Sequence, residues 1–193
     1  MKGIPQMHRD ETTPLPLANL VSLLFNEMER TYKMENNIGD EVCCPKFEPA
    51  IWDGKTFTWK DKRFIKDHVR TLFFMPLTLG KVMEKLDKMI RTAGATLLDG
   101  MALSEHTSMW NMDQYLAVDR EVPGVVNTTL SGSFVCKVYE GPFEDTGKWM
   151  KDFEEYNKQN SISVKRWLMW YTTCPKCAKK YGKNYVAIFG QLG

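Results

Sequence analysis

Two stretches of the chain share an order of features: P-L-T-L-G-K-V-M-E-K-L (residues 76–86) and P-F-E-D-T-G-K-W-M-K-D-F (residues 142–153). Each gives a proline, a glycine–lysine pair and then an amphipathic helical pattern. The displacement is 66 residues at the proline and 67 at the glycine. Further on, D-Q-Y-L-A-V (residues 113–118) matches K-N-Y-V-A-I (residues 183–188) at a displacement of 70. One order with near-constant spacing marks an internal duplication, and a duplication fixes what each half must fold into.

Both halves read alike. A β-branched and aromatic run comes first, at 69–75 and again at 134–140. A helix follows, at 77–92 with Gly94 as its stop and at 144–159. Two short strands close each half, at 101–107 with 113–120 and at 165–173 with 184–191. The expectation is an α+β domain, βαββ twice, forming an antiparallel sheet with helices on one face. Ahead of it, Leu20, Leu24, Met28 and Tyr32 recur every four residues, with Leu23 alongside, and predict a helix over 16–33. Its apolar stripe suits docking on the main domain better than pairing with a second copy. Residues 1–55 thus form a helix and an irregular arm, and 56–193 the duplicated domain, with repeats near 64–120 and 130–191.

In the closing strands Leu116 and Val118 alternate with Tyr115 and Ala117, and Val186 and Ile188 alternate with Tyr185, Ala187 and Phe189. Strand side chains alternate faces, so the aliphatic sets belong under the helices. The same register sends Leu168 and Trp170 under the helices and Trp167, Met169 and Tyr171 to the opposite face. That face is aromatic enough for a ligand cleft. The alternative is that residues 1–60 cover it and make it ordinary core, since six Trp and ten Phe must be housed.

The segment V-Y-E-G-P-F-E-D-T-G-K-W (residues 138–149), inside a duplication of this spacing, resembles the GyrI-like small-molecule-binding family. The resemblance covers roughly residues 64–191. The first half departs from the pattern, with M-P-L (residues 75–77) in place of Gly-Pro-aromatic. The resemblance implies a cleft between the repeats, lined by aromatics and acidic residues. Such domains occur as effector domains of multidrug-sensing regulators and as free-standing proteins. One subfamily, the cyclopropanoid cyclohydrolases, hydrolyses strained rings of DNA-alkylating natural products. No helix-turn-helix pattern precedes residue 60, so the free-standing type is expected.

The residues expected at the ligand are Trp110, Tyr115, Tyr139, Trp167, Met169, Tyr171, Tyr185 and Phe189. The carboxylates expected to do chemistry are Glu140, at a strand end before the Gly-Pro turn, and Glu105. A carboxylate among aromatics has its pKa raised and suits water activation or a cationic ligand; the bland alternative is a solvated strand-end charge. Tyr139 and Glu140 alternate, so at most one faces the cleft unless a bulge intervenes. No Ser-His-Asp order, nucleophile elbow or glycine-rich phosphate loop is present.

Five cysteines remain. Cys174 and Cys177 form a C-x-x-C in the connection between the last two strands, and Cys43 and Cys44 are vicinal. The four make a zinc set, a redox or thiol-reactive pair, or reduced structural pairs. A vicinal pair is a poorer half-site because adjacent side chains diverge. The hairpin position argues against thioredoxin chemistry, which places its pair at the start of a long helix.

Function is bounded accordingly. The net charge of +2 gives no field for nucleic acid, no apolar run is long enough to span a bilayer, and no secretory leader opens the chain. With five cysteines and no leader, a cytoplasmic protein is expected. The main reading is a binder of a hydrophobic aromatic or cationic small molecule, needing no cofactor, as monomer or homodimer. A hydrolase of strained or electrophilic xenobiotics is the alternative, and a cysteine–metal regulatory or interaction module the third.

Overall fold

A computed structural model describes residues 43–193; the helix expected over 16–33 lies outside the described residues. The longest element is β1 (Lys55–Leu72), of which only the last few residues had been expected as strand. Its sequence is rich in lysine and aspartate, and a bulge between Trp59 and Lys62, with Asp61 at φ +50°, breaks its alternation. After β2 (Met75–Pro76) comes α1 (Leu79–Thr92), then β3 (Leu97–Ser108) and β4 (Asn111–Val118). The second half runs β5 (Val126–Glu140), α2 (Thr146–Gln159), β6 (Val164–Tyr171), the short α3 (Pro175–Tyr181) and β7 (Tyr185–Leu192).

The sheet is antiparallel, in the order β2-β1-β4-β3-β6-β7-β5, and β5 returns to β1 along an extended register from Lys55↔Cys136 to Lys66↔Val126. Six strands therefore close into a barrel, and closure removes their exposed edges. The fold is α+β with both long helices outside the barrel.

This corrects the expected open sheet. The face opposite the helices is the barrel lumen, and it is packed: Trp59, Phe64, Leu103, Tyr115, Leu130, Phe134, Leu168, Trp170 and Phe189 form one buried cluster. β1 covers what an open sheet would have left as a cleft. Phe47 and Trp52 cap one end, Phe47 edge-on to Trp170 at 5.2 Å and Trp52 at 5.1 Å from the same ring.

Helices α1 and α2 form where their stripes predict, and the short α3 replaces a plain hairpin connection. Val82, Leu86 and Ile90 of α1 are buried against Ile65, Val69, Met112, Leu116 and Val118. Fully burying a side chain such as Leu86 stabilises by about 1.5–3 kcal/mol. Gly94, at φ +61°, ends that helix as expected. Trp149 and Phe153 of α2 pack on Val135, Met169, Val186 and Ile188. Gly190 of β7 lets α2 approach, since a Cβ there would stand 3.0 Å from the Phe153 ring and 2.9 Å from Val164.

One strand is turned over relative to expectation. Leu168 and Trp170 point into the lumen, while Met169 is buried under α2 with Trp167 and Tyr171 beside it. The pairing of Met169 with Ile188 and Trp170 with Ala187 fixes these faces. β6 is apolar on both sides because both sides are covered, so its alternation carries no sign.

Candidate functional site

The eight aromatic and sulfur-bearing residues expected at one ligand do not share a face. Tyr115, Tyr185 and Phe189 belong to the lumen cluster or pack against it. Trp167, Met169 and Tyr171 lie under α2, as does Tyr139, which stacks on Trp149 at 5.8 Å and donates to Asp152 at 2.8 Å. Trp110 is at the tip of the β3–β4 hairpin, 47% exposed, 5.0 Å from the exposed Phe73. Glu140 is an exposed strand-end carboxylate, 3.4 Å from Lys183, on an open groove of about 370 Å³ that also includes Pro142 and Asn184.

Glu105 has a different setting. Past Phe64, Leu103, Tyr115 and Leu168, the lumen-facing positions turn polar: Lys66 and His68 on β1, Glu105 on β3, Asp113 on β4 and Arg166 on β6. The antiparallel registers bring all five to the barrel end at which the β3–β4 hairpin turns. Arg166 donates from Nε to Glu105 Oε1 at 2.9 Å and from its terminal nitrogen to Oε2. Tyr115 donates its hydroxyl to Oε2 at 3.0 Å. Lys66 pairs with Asp113 at 2.8 Å, and Asp113 lies 3.5 Å from His68 Nδ1, whose Nε2 is 2.9 Å from Asn111 Oδ1.

Burial, then the charge of Glu105, holds the Tyr115 phenol above its usual range, so it stays protonated at neutral pH. The hydrogen bond to Asp113 chiefly raises Lys66, which stays charged. Lys66 Nζ and the Arg166 guanidinium stand 5.6 and 5.9 Å from the Tyr115 ring centroid. A proton donor, a carboxylate held by a bidentate arginine and a second cation thus meet at a partly open barrel mouth. Sequence reasoning found Glu105 and Tyr115 and missed Lys66, His68, Asp113 and Arg166. These four are ordinary strand charges until the register lines them up.

At the other barrel end the four expected metal ligands converge. One sulfur from each of Cys43, Cys44, Cys174 and Cys177 lies within 4.8 Å of the others. Cys43 Sγ is 3.9 Å from Cys44 Sγ and 3.5 Å from those of Cys174 and Cys177. The vicinal pair does not diverge, because the chain bends at Cys44 and turns both side chains to α3. Cys44 is further tied by its carbonyl, which accepts from the Tyr181 hydroxyl at 2.7 Å. The Cys174 thiol is pulled down to about 5, first by the hydrogen bond from Cys44, whereas burial and the neighbouring thiols push Cys43 up to about 12. The fifth cysteine, Cys136, is buried in the lumen and its thiol is pushed up by that burial.

Against known proteins, a family model described as bacterial hydrolase matches residues 33–192. The chain belongs to that family. The match takes in the whole barrel, α1 to α3 and all four clustered cysteines. No curated protein matches this hydrolase-family chain. Among its described residues, no helix is long and apolar enough to cross a membrane.

Proposed function

We propose that the protein is a hydrolase acting on a small electrophilic organic molecule at the polar mouth of its barrel, around Glu105, Tyr115 and Arg166. The observation that carries this reading is the Glu105–Tyr115–Arg166 hydrogen-bonded set in a chain of a hydrolase family. Hydrolysis needs an acceptor for the proton lost by the attacking water and a donor to the departing atom. Glu105, held by the two donors of Arg166, takes the first role. The protonated Tyr115 hydroxyl takes the second, with Arg166 and Lys66 facing the negative charge that develops. The exposed Phe73, Phe74 and Trp110 at the same end suit an apolar or aromatic substrate body.

The small-molecule cleft of the GyrI-like reading shifts from an aromatic trough to this mouth. Apart from the two-residue β2 and the short α3, each half runs strand, helix, strand, strand, and the pairings β1-β4-β3 and β5-β7-β6 correspond, which supports reading the halves as repeats. Zinc on the four cysteines would stand at the opposite barrel end and take no part in the chemistry.

The test is turnover of cyclopropane-bearing alkylators, epoxides and activated esters, followed by mass spectrometry against the rate in buffer. Hydrolysis that Tyr115→Phe and Glu105→Gln abolish supports the proposal. Saturable binding without turnover returns the protein to the class of small-molecule binders.

A further inference from the structure

We propose that Cys43, Cys44, Cys174 and Cys177 bind one zinc ion as a saturated tetrathiolate site, and that this metal staples the chain entering β1 over one end of the barrel. In a zinc–thiolate tetrahedron with bonds of about 2.3 Å, the sulfurs are about 3.8 Å apart. The three separations around Cys43, at 3.9, 3.5 and 3.5 Å, match that edge length. They are far from the roughly 2.05 Å of a disulfide, and all four thiols are free.

The backbone around the cluster is arranged for sulfur that carries charge. The Cys174 amide donates to Cys44 Sγ at 3.3 Å. Amide donors of this kind orient metal-bound thiolates and offset their charge. The C-P-x-C turn supplies this geometry: Cys174 is extended, Pro175 opens α3, and Cys177 follows one turn later, buried. Four sulfur ligands select a soft or borderline cation over magnesium or calcium. They also leave no open coordination position, so the site is structural.

Its consequence is mechanical. The chain between Cys44 and β1 carries Phe47 and Trp52, which close the lumen over Trp170 and Phe189. Pro45 sits so close to Gly100 of β3 that a Cβ there would come within 2.6 Å of its ring. A metal shared by both sides fixes this plug to the β6–β7 connection across about 130 residues of sequence.

The test uses the full chain purified without chelators or a histidine tag, with metals measured by mass spectrometry and thiols titrated under native conditions. The expectation is about one zinc per chain and no rapidly reacting thiol until a mercurial releases the metal. Cys43→Ser and Cys177→Ser lose the zinc at least about tenfold, and Cys136→Ser keeps it. Should the ligand variants fail to fold, cobalt substituted into the unmutated chain reports through the intense visible bands of tetrahedral thiolate coordination. Zinc well below one per chain after zinc addition, with four thiols titrating freely, overturns the proposal. Iron in place of zinc, or full zinc retention by both ligand variants, does the same.

Discussion

Phe47 offers the sharpest quantitative test of how the barrel end is held. Its side chain is 9% exposed, packs edge-on against Trp170 at 5.2 Å and lies tilted against Tyr185 at 5.7 Å. Truncating a buried Phe to Ala costs about 3–5 kcal/mol, and the aromatic geometry is about 0.5–1.5 kcal/mol of what is lost. The site is at a rim, where the half-buried Trp52 and Tyr185 can settle into the space, so the lower end applies, about 3 kcal/mol. That figure holds only while the segment is seated. With Cys43→Ser the staple four residues away is gone, the segment contributes less packing, and the same truncation should cost about 1 kcal/mol or less. Urea denaturation of the wild type, Phe47→Ala, Cys43→Ser and the double variant gives the cycle. Equal costs of Phe47→Ala in both backgrounds would refute the reasoning, because they would mean that the plug stays seated without its cysteines.

Tyr115→Phe removes a hydrogen bond to a carboxylate and should cost about 1–2 kcal/mol in the same denaturation assay, while turnover, measured by product formation, falls about 10²-fold or more. Gly100→Ala puts a Cβ against the Pro45 ring at a residue with φ +62°, so it should lower the midpoint and weaken zinc retention under chelator challenge; an unchanged zinc off-rate would count against the seating of Pro45. His106 is lowered by burial, and its Nδ1 has no hydrogen-bond partner among the described residues. The unfolded chain therefore binds the proton first, so stability is complete above about 6.5 and is lost as pH falls from there through the lowered folded value. His106→Phe should flatten the stability profile in that window, and an unaltered slope would assign the effect elsewhere.

Helices α1 and α2 were legible in the sequence because each carries a burial stripe at helical spacing, as Val82, Leu86 and Ile90 do, whereas the short α3 was expected only as a hairpin connection. The α+β class was legible too, together with the short strands, whose turns and alternation are local. The start of β1 was not. Its lysines and aspartates suit a strand that faces water on one side, and only its pairing with both β4 and β5 reveals its length. Closure followed from that pairing and converted the expected cleft into a packed lumen. The inverted face of β6 has a related cause: a strand covered on both sides is apolar on both sides, and W-L-M-W-Y gives no sign of which is which.

The sites divide along the same line. Glu105 and Tyr115 could be singled out by residue type, but Arg166, Lys66 and Asp113 became partners only through a register between strands far apart in sequence. The cysteines were visible as two pairs, whereas their meeting depends on a bend at Cys44 and a turn at Pro175 separated by about 130 residues. Local periodicity determined where α1, α2 and the strands that close each half form. Tertiary closure decided which charges and thiols meet, because those contacts are set by strand register and chain return, and neither leaves a trace within a few residues of the groups involved.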